Sequence, residues 1–199
     1  MNQALGWLLH PRANHGAGGE VLARLAEKLG ATALAADVRR APGSILATTE
    51  RRPPRWRGGM PDLLFRGPTG ALLIENKIDA SESGQQYAPY RESFARWAPH
   101  HDRRLWLFAA ARRETPPGYA FATHAEVACW LRDLTEAPTL PQWTRVLLAL
   151  VAEDLDPTAP DLGELRRLVD RCTATPDPRS LYRIAELIEG WRPARPWSP

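Results

Sequence analysis

The sequence predicts an α/β fold, a central mixed β-sheet flanked by helices, with a helical C-terminal extension. Three observations carry this. Apolar patterning reads helix, helix, strand, strand, strand, helix, strand, which is a mixed sheet with helices on its faces. Two short apolar segments, residues 59–65 and 71–78, flank Arg66-Gly67-Pro68-Thr69-Gly70, a turn signal that folds one strand back on the other. Beyond residue 135 the apolar positions recur at helical spacing between proline-containing breaks. The expected organisation is a core at 1–135, a helical extension at 136–190 and an Arg/Pro/Trp tail at 191–199.

Residues 2–9 read as a short helix stopped by Pro11. A turn-rich loop follows at 14–19. Val21, Leu22, Leu25, Ala26 and Leu29 then recur at helical spacing, with Gly30 as C-terminal cap. In the loop, His15 reads as a turn residue bonded to backbone or as a site residue. Glu20 reads as a further acid near the site or as charge favourable to a helix N-terminus. Residues 34–40 read as the first strand, and the hairpin supplies two more. A helix is expected from the turn at 79–84 to about Trp97, with Ser83 and Gln86 as a capping box and Pro89 bending it. Residues 103–110 read as a buried strand and 126–130 as another, with 131–134 beginning a helix. Three helices are expected at 143–155, 162–169 and 181–188, packing on the sheet or making a subunit contact, as in a homodimer or with a partner protein.

Composition narrows the function. A chain of 199 residues suffices for one well-cored domain with an appendage. The longest apolar run, 146–152, falls far short of the roughly 20 residues that span a bilayer. The segment Met1-Asn2-Gln3 has no basic n-region, and Cys129 and Cys172 lack metal-ligand spacing. A cytoplasmic protein with free thiols is expected. The formal charge is only +3, so local distribution matters more than the total. Between residues 39 and 66 lie seven arginines, at 39, 40, 51, 52, 55, 57 and 66, against Glu50 and Asp62. The loop carrying Arg51, Arg52, Arg55, Trp56 and Arg57 suits contact with a phosphate backbone; a solvated surface loop is the competing reading.

The hairpin carries the chemistry. Side chains alternate along a strand, so Glu75 and Lys77 share one face and Ile74, Asn76 and Ile78 the other. An antiparallel return brings Asp62 close to the Glu75 face. Charges in an oily strand are costly to bury unpaired and need a charged partner or a metal ion. Of the 26 basic residues only Lys28 and Lys77 are lysines, so the lysine beside Glu75 stands where the planar, always-charged arginine fork would not serve.

Pro61-Asp62, twelve intervening residues and Glu75-Asn76-Lys77 resemble the signature of the PD-(D/E)xK nuclease superfamily. Ile74-Glu75-Asn76-Lys77-Ile78-Asp79-Ala80 resembles the motif's form in one bacterial branch, and Gln86 and Tyr90 follow at the spacing of its QxxxY element. Trp7-Leu8-Leu9-His10-Pro11 followed by His15-Gly16-Ala17-Gly18 is similar to that branch's N-terminal helix and turn. The resemblance extends to the strand at 103–110. It implies a restriction-endonuclease-like αβββαβ core and a metal-dependent nuclease acting on DNA. Asp62 and Glu75 would hold Mg²⁺, with Mn²⁺ as substitute, Lys77 would position the attacking water, and Gln86 and Tyr90 would face the site. The alternatives are a nucleic-acid-binding or assembly module that keeps the fold without hydrolysis, and a structural domain in which Lys77 pairs with Glu75 and Asp62.

Overall fold

Five strands form one sheet: β1 (Leu46–Thr49), β2 (Leu63–Arg66), β3 (Gly70–Lys77), β4 (Asp102–Ala109) and β5 (Ala120–Thr123), in that spatial order. The computed structural model describes residues 2–13, 17, 19–54, 56–77 and 86–156. β1 and β3 each run antiparallel to β2, whereas β3, β4 and β5 are mutually parallel, so the sheet is mixed as expected. β3 lies at its centre and is buried along its whole length. That explains why Ala71-Leu72-Leu73-Ile74 is a continuous apolar run rather than an alternating one.

The two faces are covered unequally. On one face Leu63, Phe65, Leu72, Ile74, Phe108 and Ala122 join a core completed by α1 (Asn2–Leu9), α2 (Glu20–Lys28), α3 (Thr32–Arg40), α5 (His124–Thr135) and α6 (Gln142–Leu155). On the other, Leu64, Ala71, Leu73 and Leu107 pack under α4 (Tyr87–Trp97) with Trp56 and Tyr119. Each fully buried Leu or Phe contributes on the order of 1.5–3 kcal/mol relative to exposure, so the larger face carries most of the fold's stability. The smaller face is where Glu75 and Lys77 enter.

The first-strand reading of 34–40 is corrected: these residues lie in α3, and the first strand is β1. Leu34, Ala35 and Val38 turn inward at helical spacing, and Asp37 follows on the same side. Asp37 accepts from the Thr69 backbone N–H at 2.7 Å, the Thr69 hydroxyl at 2.9 Å and the Gly70 N–H at 2.9 Å. It thereby fastens the β2–β3 turn to the helix. At Gly70 a Cβ would lie 2.1 Å from the Leu34 backbone nitrogen, so only glycine admits this approach.

The strand expected at 126–130 is also corrected, since α5 runs through it and β5 precedes it. Thr123 and Glu126 form a capping box: Glu126 N–H donates to Thr123 Oγ1 at 3.1 Å while Glu126 Oε2 accepts from Thr123 N–H at 2.7 Å. Pro89 falls in the first turn of α4, where a missing N–H removes no helix bond, so the expected bend has no cause there. α6 coincides with the helix expected at 143–155, and its Leu148, Val151, Ala152 and Leu155 join the larger core. The helices expected at 162–169 and 181–188, the tail at 191–199 and Cys172 lie outside the described residues. Among the described residues no helix is long and apolar enough to cross a membrane.

Candidate active site

β3 is apolar through Ile74 and then continues as Glu75, Asn76 and Lys77, all buried. The α4 face receives Glu75 and Lys77, in line with Ala71 and Leu73; the opposite face receives Asn76, in line with Leu72 and Ile74. Lys77 Nζ lies 2.6 Å from Glu75 Oε1, with the two side chains only 7% and 3% exposed. A pair this dry is not a surface ion pair, and its desolvation cost is repaid only by close, multiple contacts.

Gln86 supplies one of them, its Nε2 donating to Glu75 Oε1 at 3.2 Å. Gln86 stands immediately before α4 yet makes no capping bond with its side chain. The capping box expected between Ser83 and Gln86 falls on Ser83, which lies outside the described residues. Glu75 Oε2 is buried with no hydrogen-bond partner among the described residues. Burial, then the negative charge of Asp62, push the Glu75 carboxyl up to about 7, against the opposing pull of Lys77. Without a further cation, the charged form of this acid is held at a cost.

Asp62 directly precedes β2. Its Oδ2 accepts from the Asn76 backbone N–H at 2.7 Å and its Oδ1 from Asn2 Nδ2 at 3.0 Å. The hairpin thus brings Asp62 beside Glu75 as expected, but the acid sits at the end of the β2–β3 ladder, tied to both. Behind it, on the larger face, Asn76 Nδ2 donates to Asn2 Oδ1 at 2.6 Å, and Asn76 Oδ1 lies 2.7 Å from His124 Nε2. Burial lowers the His124 pKa, so the ring is neutral near pH 7.

Tyr90 holds the chain ahead of Asp62. Its hydroxyl donates to the Met60 carbonyl at 2.8 Å and its ring meets Trp56 edge-on at 5.9 Å. Ser93 adds a second clamp, its hydroxyl accepting from Arg57 N–H at 2.9 Å and donating to Arg57 C=O at 2.8 Å. Together they fix the segment that delivers Asp62. Trp56 is 6% exposed, so it anchors the arginine loop rather than offering a stacking surface. Arg51, Arg52 and Arg57 are exposed; Arg55 and His15 lie outside the described residues. Glu20 pairs with Arg24 at 2.5 Å, and among the described residues no three His, Cys, Asp or Glu side chains cluster as a metal site. Two tyrosines complete the wall: Tyr87 and Tyr119 meet edge-on at 5.4 Å, and both hydroxyls are buried without partners among the described residues. Burial and the neighbouring Glu75 charge raise the Tyr119 pKa.

Sequence reading missed Asn2, His124, Tyr87 and Tyr119. One signal was available: Asn76 is polar on an otherwise apolar face, so buried partners were required. Nothing local identified them.

The donor set suits a hard divalent cation. Mg²⁺ takes oxygen ligands, is often held by one or two carboxylates, and keeps several waters. Two neighbouring carboxylates, one with an orphaned buried oxygen, meet that demand. A family model described as the PD-(D/E)XK nuclease superfamily matches residues 3–135, from α1 to the end of α5. No curated protein and no solved structure matches the chain.

Proposed function

The chain belongs to the PD-(D/E)XK nuclease superfamily, and from that premise we propose that it is a metal-dependent deoxyribonuclease hydrolysing DNA phosphodiester bonds. The observation that carries the reading is the buried Glu75–Lys77 contact at 2.6 Å with Asp62 alongside. A purely structural pair needs no second acid whose charge opposes ionisation of the first. A cation site does.

In this reading Asp62 and Glu75 hold Mg²⁺, or Mn²⁺ in its place, with the Asn76 carbonyl as a further oxygen ligand. A divalent ion held there would supply polarisation of the phosphoryl group and acidification of a water. Lys77 positions that water and offsets charge building on the phosphoryl oxygens, a role for a compact ammonium held by its neighbours. Gln86 orients the Glu75 carboxylate through its 3.2 Å bond. The exposed Arg51, Arg52 and Arg57, with Arg55, grip the phosphate backbone without reading bases.

The test is incubation of the purified protein with linear and circular duplex DNA, with and without Mg²⁺. Cleavage that requires the ion, and that Asp62→Ala and Glu75→Ala each abolish while the fold persists, is the expected result. Cleavage surviving in either variant overturns the assignment. DNA binding with no cleavage under any divalent ion favours the non-catalytic module.

A further inference from the structure

The motif residues leave unexplained a row of hydrogen bonds on the opposite side of the sheet. His124, Asn76 and Asn2 end on Asp62 through contacts of 2.7, 2.6 and 3.0 Å. The row joins three distant parts of the chain: the start of α5, the C-terminal end of β3 and the first residue of α1. Asn76 and His124 are 4% and 5% exposed, so little water is available to substitute for any lost bond.

The row has a direction, and Asp62 sets it. An ionised carboxylate only accepts, so Asn2 turns its Nδ2 to Asp62 and presents its Oδ1 to Asn76. Asn76 must then give its Nδ2 to Asn2, leaving its Oδ1 for His124. His124 must carry hydrogen on Nε2. Every amide is oriented by the acid at the end, and the acid is held by every amide before it. The Asn76 backbone N–H grips the second oxygen of Asp62, so one residue restrains both sides of the carboxylate. A carboxylate offers about four acceptor directions. These two bonds occupy one on each oxygen and pin the group's plane.

We propose that Asn2, the Asn76 side chain and His124 are positioning residues that hold Asp62 in the orientation in which it binds the divalent cation. The inference rests on the reading of Asp62 as a metal ligand. It adds Asn2, which lies outside the span matched by the family model, and a histidine on the far face of the sheet. Hydrogen-bonded partners of ligating carboxylates commonly affect metal affinity tenfold to a hundredfold.

The experiment is calorimetric titration of Mn²⁺ into the full-length, DNA-free protein without an N-terminal tag, alongside thermal melting. The proteins are wild type, Asn2→Ala, His124→Leu, His124→Gln, Asp62→Ala and the double variant Asn2→Ala with Asp62→Ala. Asn2→Ala should weaken Mn²⁺ binding about tenfold or more with little change in Tm. His124→Leu should weaken it also, and His124→Gln, which keeps a donor towards Asn76, should restore part of the loss. In the Asp62→Ala background, Asn2→Ala should have no further effect. If His124→Leu fails to fold, Asn2→Ala and His124→Gln still decide the matter. Wild-type affinity in Asn2→Ala overturns the inference, as does a lowered Tm with unchanged affinity, which marks a structural bond only. If Asp62→Ala loses the ion and Asn2→Ala does not, this inference fails alone. A wild-type protein that binds no Mn²⁺ overturns both it and the proposed metal site.

Discussion

The Glu75 carboxyl makes the stability of the metal-free protein depend on pH in an unusual direction. Burial and Asp62 raise its pKa from 4.5 to about 7, so in the folded state it holds a proton that the unfolded chain releases. The folded state therefore binds more protons between those values, and stability falls as pH rises through the window. The contribution is fully present below about pH 4.5 and is lost once pH passes about 7. From pH 5.5 to 8.5 the loss amounts to about 2 kcal/mol, on the order of 4–8 °C in Tm for a protein of this size. His10 and His124 act oppositely, because burial lowers their pKa values and their contribution grows with pH. The decisive quantity is thus the difference between wild type and Glu75→Gln, which share both histidines. Thermal melts of both proteins in chelator across that range should show wild type losing about 4–8 °C more than the variant. Mg²⁺ at pH 8.5 should recover the loss in wild type alone, since a bound cation stabilises the buried, ionised carboxylate against both burial and the Asp62 charge. Parallel Tm–pH curves for the two proteins would refute the reasoning.

Lys77→Ala should lower the cleavage rate on the order of a hundredfold or more. Lys77→Arg should not restore it, because the planar fork cannot occupy the 2.6 Å position beside Glu75; full rescue would show that charge alone suffices. Tyr119→Phe removes a buried hydroxyl with no partner among the described residues, and should raise Tm by about 2–4 °C, corresponding to about 1 kcal/mol. A fall in Tm would mean that the hydroxyl is satisfied. Replacing Arg51, Arg52, Arg55 and Arg57 with glutamine in a Glu75→Gln background should weaken binding to all DNA sequences alike. It should also flatten log affinity against log salt by about one unit per lost phosphate contact; an unchanged slope removes the loop from the DNA surface.

What the sequence disclosed and what it concealed divide along physical lines. Alternation in a strand is a local property, so the shared face of Glu75 and Lys77 was legible, as was the hairpin between two apolar runs. Capping is local too, and the Thr123–Glu126 box was there to be read; reading 126–130 as a strand lost to a helix signal three residues wide. The error at α3 had another origin. A stretch of alanine, leucine and valine fits either period over so short a span, and it is settled as a helix by docking of Asp37 on a turn 32 residues away. Trp56 had the composition of a nucleic-acid contact, yet the apolar pocket against Tyr90 outweighed the polar company of its arginine neighbours. The side-chain partners of Asp62 were beyond any local pattern, since Asn2 reaches it across 60 residues and Asn76 in turn reaches Asn2 across 74. A motif names residues that must meet the substrate. The groups that aim them are chosen by tertiary packing, and here they come from the far face of the sheet, where one polar residue among Leu72 and Ile74 was the only trace of them in the chain.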